Sequence, residues 1–339
     1  MAKKAILLAN LGSPDSCEVK DVRTYLREFL MDERVIDIPY LIRFLLVKGI
    51  IVPFRAPQSA KKYQTIWTDK GSPLIYTTAE LTKLVSDNSG LPTYMCMRYA
   101  NPTPKFALEK ALNENSDLEE MIMVPLYPHY AMSSYESAVE HVKKTYQEGK
   151  YSFKLRIVKP YFNHLDYIKT LSNSIAPYLK KDYDHLLFSY HGIPERHVKK
   201  SDFTNKHCLK CENCCDVDSP VHQVCYRHQV KETTRLVADE LGLSEDKFSF
   251  SFQSRLGADK WLKPYTAEML KEFPKKGIKK LLVVCPAFVS DCLETLEEIA
   301  EEGAEFFEEA GGETFQMIPC LNTRPDWVET INILVAETN

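Results

Sequence analysis

The feature that most constrains this chain is an alternation that runs almost its whole length. Short apolar runs bounded by turn residues are separated by longer stretches of helical period. Strand candidates are 5–10, 93–98, 121–126, 154–158, 185–189, 248–252 and 280–285, with helical patterns between many of them, as at 133–148 and 293–309. Strands alternating with helices predict α/β units on parallel sheets. The alternation also repeats once. The run ending Asn10-Leu-Gly-Ser-Pro resembles the one ending Ser189-Tyr-His-Gly-Ile-Pro, and residues 94–98 resemble 250–254. Met121-Ile-Met-Val-Pro-Leu-Tyr-Pro resembles Leu281-Leu-Val-Val-Cys-Pro-Ala-Phe. Three matches in one order predict two similar α/β lobes, 1–160 and 161–320, and a C-terminal helix, 321–339, packing back on the first.

A chain of 339 residues is long enough for two domains with sizeable cores. A formal net charge of −4 gives no basic surface for non-specific nucleic-acid binding. The N-terminus runs straight into a strand-like segment without the apolar stretch and cleavage site of a signal peptide. The most apolar region, 35–55, is interrupted by Asp37, Arg43 and Lys48, so a spanning helix is not expected there. A cytoplasmic protein is therefore expected. Its ten cysteines are then thiols or metal ligands and not disulfides. There is no Walker loop and no G-x-G-x-x-G, so no nucleotide is expected.

Open α/β sheets bind ligands beyond the carboxyl ends of their strands. Those positions hold residues 10–13, 98–101, 127–130, 191–196, 253–261 and 287–294, and two such rims facing each other would make a cleft. His191 follows an apolar strand and precedes Gly192 and Pro194. Glycine there permits a sharp turn, and an imidazole held at a strand end can accept a proton or donate a lone pair to a metal. Asp291 and Glu294, three apart, read as a capping box with Asp291 in the cap role. Glu294 then lies in a first helical turn, where the helix dipole favours a carboxylate. Glu298, Glu301, Glu302 and Glu305 follow near helical spacing; they read as a solvated acidic face, the alternative being a carboxylate track. Arg55, Tyr63, Arg98, Tyr99, Tyr127, Tyr130 and Trp261 stand at or near loop positions; each reads by itself as packing, the alternative being contact with a flat, carboxylate-bearing ligand.

The sharpest local signal is His207-Cys-Leu-Lys-Cys-Glu-Asn-Cys-Cys-Asp, followed by Cys225. Cys208, Cys211 and Cys214 are spaced C-x2-C-x2-C, with Cys215 adjacent. This density predicts a metal site, and the spacing admits an iron–sulfur cluster or structural Zn2+. Cys17, Cys96 and Cys320 are isolated and expected to be packed thiols.

With these stretches in view the chain resembles the ferrochelatases over nearly its whole length. The carrying motifs are Leu7-Leu-Ala-Asn-Leu-Gly-Ser-Pro, Phe54-Arg-Ala-Pro with Tyr63, Leu126-Tyr-Pro-His-Tyr, Ser189-Tyr-His-Gly-Ile-Pro, Phe252-Gln-Ser-Arg, Trp261-Leu-Lys-Pro-Tyr-Thr and Asp291-Cys-Leu-Glu-Thr-Leu-Glu-Glu. The resemblance is to the Gram-negative bacterial members that use protoporphyrin. It implies an α/β fold of two Rossmann-like lobes with parallel sheets around a porphyrin cleft. It implies insertion of Fe2+ into protoporphyrin IX to form protohaem, with His191 and Glu294 as the central catalytic and metal-handling pair across the porphyrin plane. Leu11, Arg55, Tyr63, Arg98, Tyr127 and Trp261 match porphyrin contacts. Residues 35–55 match an apolar lip at the cleft mouth that touches membrane in some members, which implies a peripheral membrane contact. Animal members carry histidine at the position of Cys292. The segment 202–225 is an insertion relative to many members, and some bacterial members hold a [2Fe–2S] cluster on cysteines in such a segment. That favours a cluster over zinc, on Cys208, Cys211, Cys225 and one of Cys214 or Cys215, in a monomer or homodimer. The rival readings are a chelatase inserting Co2+ or Ni2+ into another tetrapyrrole, and a bilobal tetrapyrrole carrier without turnover.

Overall fold

The computed structural model describes residues 3–255, 257 and 259–338. Leu256 and Ala258, within the rim stretch 253–261, lie outside the described residues. The chain divides into two compact units. The first comprises 1–126, 132–159 and 322–339, and the second 127–131 and 160–321.

In the first unit four parallel strands, β1 (Lys4–Asn10), β2 (Thr93–Met97), β3 (Glu120–Pro125) and β4 (Lys154–Ile157), lie in the order β2-β1-β3-β4. In the second, β5 (His185–His191), β6 (Phe248–Gln253), β7 (Lys280–Val284) and β8 (Thr314–Met317) take the same order, β6-β5-β7-β8, all parallel. The predicted repeat of architecture is thus present strand for strand. The central strands are near-continuous apolar runs because helices cover both faces of such a sheet. β1 is buried from Ala5 to Asn10 and β3 throughout. β8 carries no such run: Thr-Phe-Gln-Met sits half exposed at the sheet edge, and the sequence reading missed it.

The final helix, Pro325–Glu337, belongs to the first unit and packs on the helix Pro73–Ser89 and on β3, with Trp327 and Ile331 fully buried. Residues 40–66 are helical, with a π turn at Leu45–Ile51 between α-helical segments Tyr40–Phe44 and Val52–Ile66. Its outer face is apolar as well as its buried one, which holds Val47, Val52, Ala56 and Ala60. Tyr40, Leu41, Ile42, Leu45, Ile50 and Phe54 are 57–72% exposed, while Arg43 is buried and donates to the carbonyls of Ile36 and Ile38 at 3.0 and 3.1 Å. Among the described residues no helix is long and apolar enough to cross a membrane.

Candidate active site

The order β6-β5-β7-β8 makes the gap between the ends of β5 and β7 the topological switch point of the second sheet, where connections leave in opposite directions. His191 ends β5, and the segment leading to Glu294 follows β7. The strand end is anchored three ways. Its register partner is Gln253 on β6, the Gly192 amide donates to the Gln253 carbonyl at 2.8 Å, and the Tyr226 hydroxyl donates to the His191 carbonyl at 2.8 Å. Gly192 is required by close approach and not by a left-handed turn. It is not among the positive-φ glycines, but a β-carbon on it would stand 2.7 Å from the Gln253 carbonyl oxygen and 3.2 Å from the Trp261 ring.

The His191 ring is fixed as well as its backbone. Nδ1 lies 2.6 Å from the Gly192 carbonyl oxygen. A carbonyl only accepts, so Nδ1 carries the proton of the neutral ring and Nε2 carries the lone pair. The Phe288 ring stands edge-on to the imidazole, with centroids 6.3 Å apart.

After β7 the chain turns into a helix whose cap differs from the sequence expectation. Cys292, not Asp291, is the N-cap, and Thr295, not Glu294, closes the capping box. Asp291 turns inward, where its carboxylate accepts from the Thr295 hydroxyl at 3.1 Å and the Cys320 amide at 3.3 Å. Glu294 still lies in the first helical turn. The helix then widens into a π turn, Glu298–Gly303, before resuming as Ala304–Glu309. Ile299 and Phe307 anchor it in the core with Leu187, Leu270, Phe273 and Leu281. Extra residues in such turns shift side chains off the α-helical register and recur at functional sites.

The reading of Glu298 as part of a solvated face does not hold, because the carboxylate is buried against Ser254. The carboxylate accepts from the Ser254 hydroxyl at 2.6 Å and is held also by the Ser254 amide. Ser254 takes a left-handed conformation, φ 65°, that a non-glycine residue adopts at a cost of about 1–3 kcal/mol. Burial pushes the Glu298 carboxyl above the usual carboxylate range. The Ser254 bonds and the His191 charge oppose that, and the Glu294 charge adds to it. His191, Glu294 and Glu298 therefore form one electrostatic group at the switch point. Glu301 and Glu305 stay on the outer face, both exposed.

The other sequence-selected residues are placed as follows. Trp261 flanks Pro194 through a backbone bridge beside the His191 turn, and Tyr127 is buried in the second unit. Leu11, Arg55 and Tyr63 belong to the first unit, the first two half exposed and Tyr63 buried edge-on to Tyr25 and Trp67. Arg98 is engaged within the fold. Nη2 lies 2.6 Å from the Asp32 carboxylate, Nε 2.6 Å from the Ser137 hydroxyl, and the guanidinium covers the Tyr99 ring at 4.3 Å.

The cysteine segment is organised by Asp202. Its carboxylate, buried yet drawn far below the usual range by the Thr204 hydroxyl and the amides of Cys208, His207 and Thr204, gathers the start of the loop. Cys208, Cys214, Cys215 and Cys225 are 1–5% exposed, and their sulfurs form a contact chain in which Cys225 meets Cys208 and Cys215, and Cys215 meets Cys214. The Leu209 amide and the Arg227 guanidinium point at the Cys214 sulfur at 3.4 and 3.8 Å. Cys211 lies outside this set, exposed on the turn whose Cys214 amide closes onto its carbonyl. Among the described residues no three His, Cys, Asp or Glu side chains are arranged to hold a single metal ion. The donor chemistry nonetheless fits a group that spreads four thiolates over two irons. Four buried thiols are neighbours, and N–H donors are aimed at one sulfur.

A family model described as Ferrochelatase matches residues 3–339. The chain is 48% identical over 332 residues to the ferrochelatase of Opitutus terrae, covering 97% of this chain and 96% of that one. It is 46% identical over 333 residues to that of Pseudomonas entomophila, covering 98% of each. It is 42% identical over 338 residues to that of Porphyromonas gingivalis, covering 99% of this chain and 96% of that one. Among solved structures, SirB from Bacillus subtilis with Fe3+ is similar at TM-score 0.56 and 13% identity, covering 99% of this chain and 95% of that one. Sirohydrochlorin chelatase SirB in complex with cobalt, from Bacillus subtilis subspecies spizizenii, is similar at TM-score 0.51 and 12% identity, covering 99% and 94%. At such identities the structural likeness speaks for the fold. The relatives and the family model agree along almost every residue, and the chain belongs to the ferrochelatase family.

Proposed function

We propose that this chain is a protohaem ferro-lyase that inserts Fe2+ into protoporphyrin IX, with His191, Glu294 and Glu298 as its chemical group. Family membership supports the reaction, and the observation that carries the site is the fixed tautomer of His191 beside two carboxylates. Metallation replaces two pyrrole N–H protons with one Fe2+, so the products are haem and two protons. The Nε2 lone pair of His191 suits the first of these tasks, taking a pyrrole proton. Its Nδ1–H bond to the Gly192 carbonyl orients the ring and steadies the positive charge that protonation creates. Glu298, raised above the usual carboxylate range, can take up a proton nearer neutrality than an ordinary glutamate. Glu294, in the first helical turn, is the carboxylate that favours the incoming cation.

Leu11, Arg55, Tyr63, Tyr127 and Trp261 are the proposed porphyrin contacts, while Arg98 is held within the first unit by its ion pair with Asp32. The exposed apolar residues from Tyr40 to Phe54 are the proposed peripheral membrane contact of an otherwise cytoplasmic protein. A [2Fe–2S] cluster, if bound, would be held by Cys208, Cys214, Cys215 and Cys225, and would supply one-electron redox capacity and local order. The test is anaerobic metallation of protoporphyrin IX by purified protein. Turnover with Fe2+, and its loss by at least about 10²-fold in His191→Ala, is expected. Binding without turnover would make the protein a carrier, and preference for Co2+ or Ni2+ would make it a different chelatase.

A further inference from the structure

We propose that Gln253 is a positioning residue that ties the Glu294 helix start to the His191 strand end. The side chain is buried, at 3% exposure, in the last position of β6. Its Oε1 accepts from the Ser189 hydroxyl on β5 at 2.8 Å, and its Nε2 donates to the Glu294 main-chain carbonyl at 2.7 Å. Both ends of the amide are thereby assigned, because the Glu294 carbonyl can only accept. The main chain of Gln253 is occupied in the same task, since its carbonyl accepts from the Gly192 amide at 2.8 Å and its register partner is His191. One residue thus bonds the Glu294 carbonyl and the Gly192 amide that follows His191, on the two sides of the switch point. Glutamine is the side chain this needs. Asparagine is a methylene shorter, and a glutamate would set an oxygen against the Glu294 carbonyl oxygen.

Gln253 makes no contact with the reacting groups' functional atoms, so its effect passes through geometry. Misplacing a reacting group by about 1 Å costs on the order of 10²-fold in rate. The inference rests on the assignment of Glu294 to the chemistry, and the experiment separates the two. Gln253→Met keeps the volume and removes the side-chain bonds to Ser189 and Glu294, together with the long contact from the Cys285 thiol at 3.9 Å. Gln253→Glu keeps an acceptor for Ser189 but replaces the donor to Glu294 with a repelling oxygen, so it serves should the first variant fold poorly. Each should lower kcat by about 10–10²-fold and leave the porphyrin KM, and the porphyrin affinity read by fluorescence quenching, unchanged. In a Glu294→Gln background the same changes should cause little further loss, because two residues acting through one geometry are not additive. Hydrogen exchange read by mass spectrometry should show faster exchange at 293–298 in both variants. A full loss repeated in the Glu294→Gln background, or an unchanged kcat, would overturn the tie. Unimpaired Glu294→Gln would overturn the role of Glu294 itself, and faster exchange at 293–298 would then still uphold the tie.

Discussion

Replacing Arg98 with methionine asks whether its guanidinium serves a ligand or the fold. Asp32 lies buried and gathers four donors: Arg98 Nη2 at 2.6 Å, the Tyr99 hydroxyl at 2.8 Å, the Arg34 amide at 2.8 Å, and the Ser137 hydroxyl. The ion pair is shielded, at 13% and 4% side-chain exposure. Breaking a buried pair by deleting one partner costs about 3–5 kcal/mol when the other charge is stranded. Asp32 is not wholly stranded, because three donors remain and each bond to a charged acceptor contributes about 1.5–3 kcal/mol. The expected loss is therefore at the low end, about 2–3 kcal/mol, or a fall of roughly 4–12 °C in the melting of the first unit at pH 7. The pH dependence has a definite sign. Burial pushes the Asp32 carboxyl up, but Ser137, the Arg34 amide, Arg98 and Tyr99 together hold it below the usual range. A carboxylate so depressed adds stability above its unfolded value, near 4, and loses it as pH falls through the folded value. The deficit of Arg98→Met should thus be largest at neutral pH and shrink in acid, as calorimetry at pH 7 and below pH 4 would show. Porphyrin affinity should change little. Unaltered melting at pH 7 with a markedly raised porphyrin KM would refute the reasoning and assign the guanidinium to the ligand.

Glu298→Gln should lower kcat by about 10²-fold or more, whereas Glu305→Gln, on the outer face of the same helix, should leave it unchanged. Equal, small effects in steady-state metallation would return Glu298 to the acidic surface. Anaerobically purified protein should carry about two irons and two labile sulfides, absent from Cys215→Ser and kept in Cys211→Ser. Zinc without sulfide would refute the cluster, and loss in Cys211→Ser would refute the ligand set. Leu41→Ser combined with Phe54→Ser should reduce co-sedimentation with lipid vesicles while leaving kcat on detergent-dispersed porphyrin intact. Undiminished co-sedimentation would move the membrane contact elsewhere.

Much of the fold was legible because the central strands of a doubly covered parallel sheet must be apolar on both faces, and such runs announce themselves. His191 was legible for the same reason, as the first polar side chain after a buried run. β8 was not, since an edge strand needs burial on only part of its surface. Glu298 was misread because a run of glutamates at helical spacing usually faces solvent, and only the tertiary contact with Ser254 shows that this one turns inward. The cap was misassigned because Asp291 offers better cap chemistry than Cys292, and only the tertiary bond to the Cys320 amide draws it away. In the cysteine segment, spacing kept Cys211 in the set and left the choice between Cys214 and Cys215 open, whereas the fold buries both of these and leaves Cys211 exposed, which spacing could not show.

The two units show how a duplicated architecture comes to hold one chemical site. Leu11-Gly12 stands after β1 where His191-Gly192 stands after β5, and both glycines are forced by close backbone approach, at the Tyr99 and Gln253 carbonyls respectively. Arg98 follows β2 where Ser254 follows β6. Arg98 reaches Ser137 in the helix after β3, and Ser254 reaches Glu298 in the helix after β7. Both helices contain a π turn near that contact, at Met132–Glu136 and Glu298–Gly303. The junction is thus the same piece of geometry used twice. In the first unit a buried Arg–Asp–Ser cluster fills it and satisfies every charge internally. In the second the place of the arginine is taken by a serine, the carboxylate comes from Glu298 itself, and among the described residues no cation pairs with it apart from the His191 ring when that is protonated. A junction whose charges are balanced within the fold contributes stability. One left with a carboxylate and an imidazole lone pair has capacity for a cation and for protons, and metallation of a porphyrin exchanges those two things.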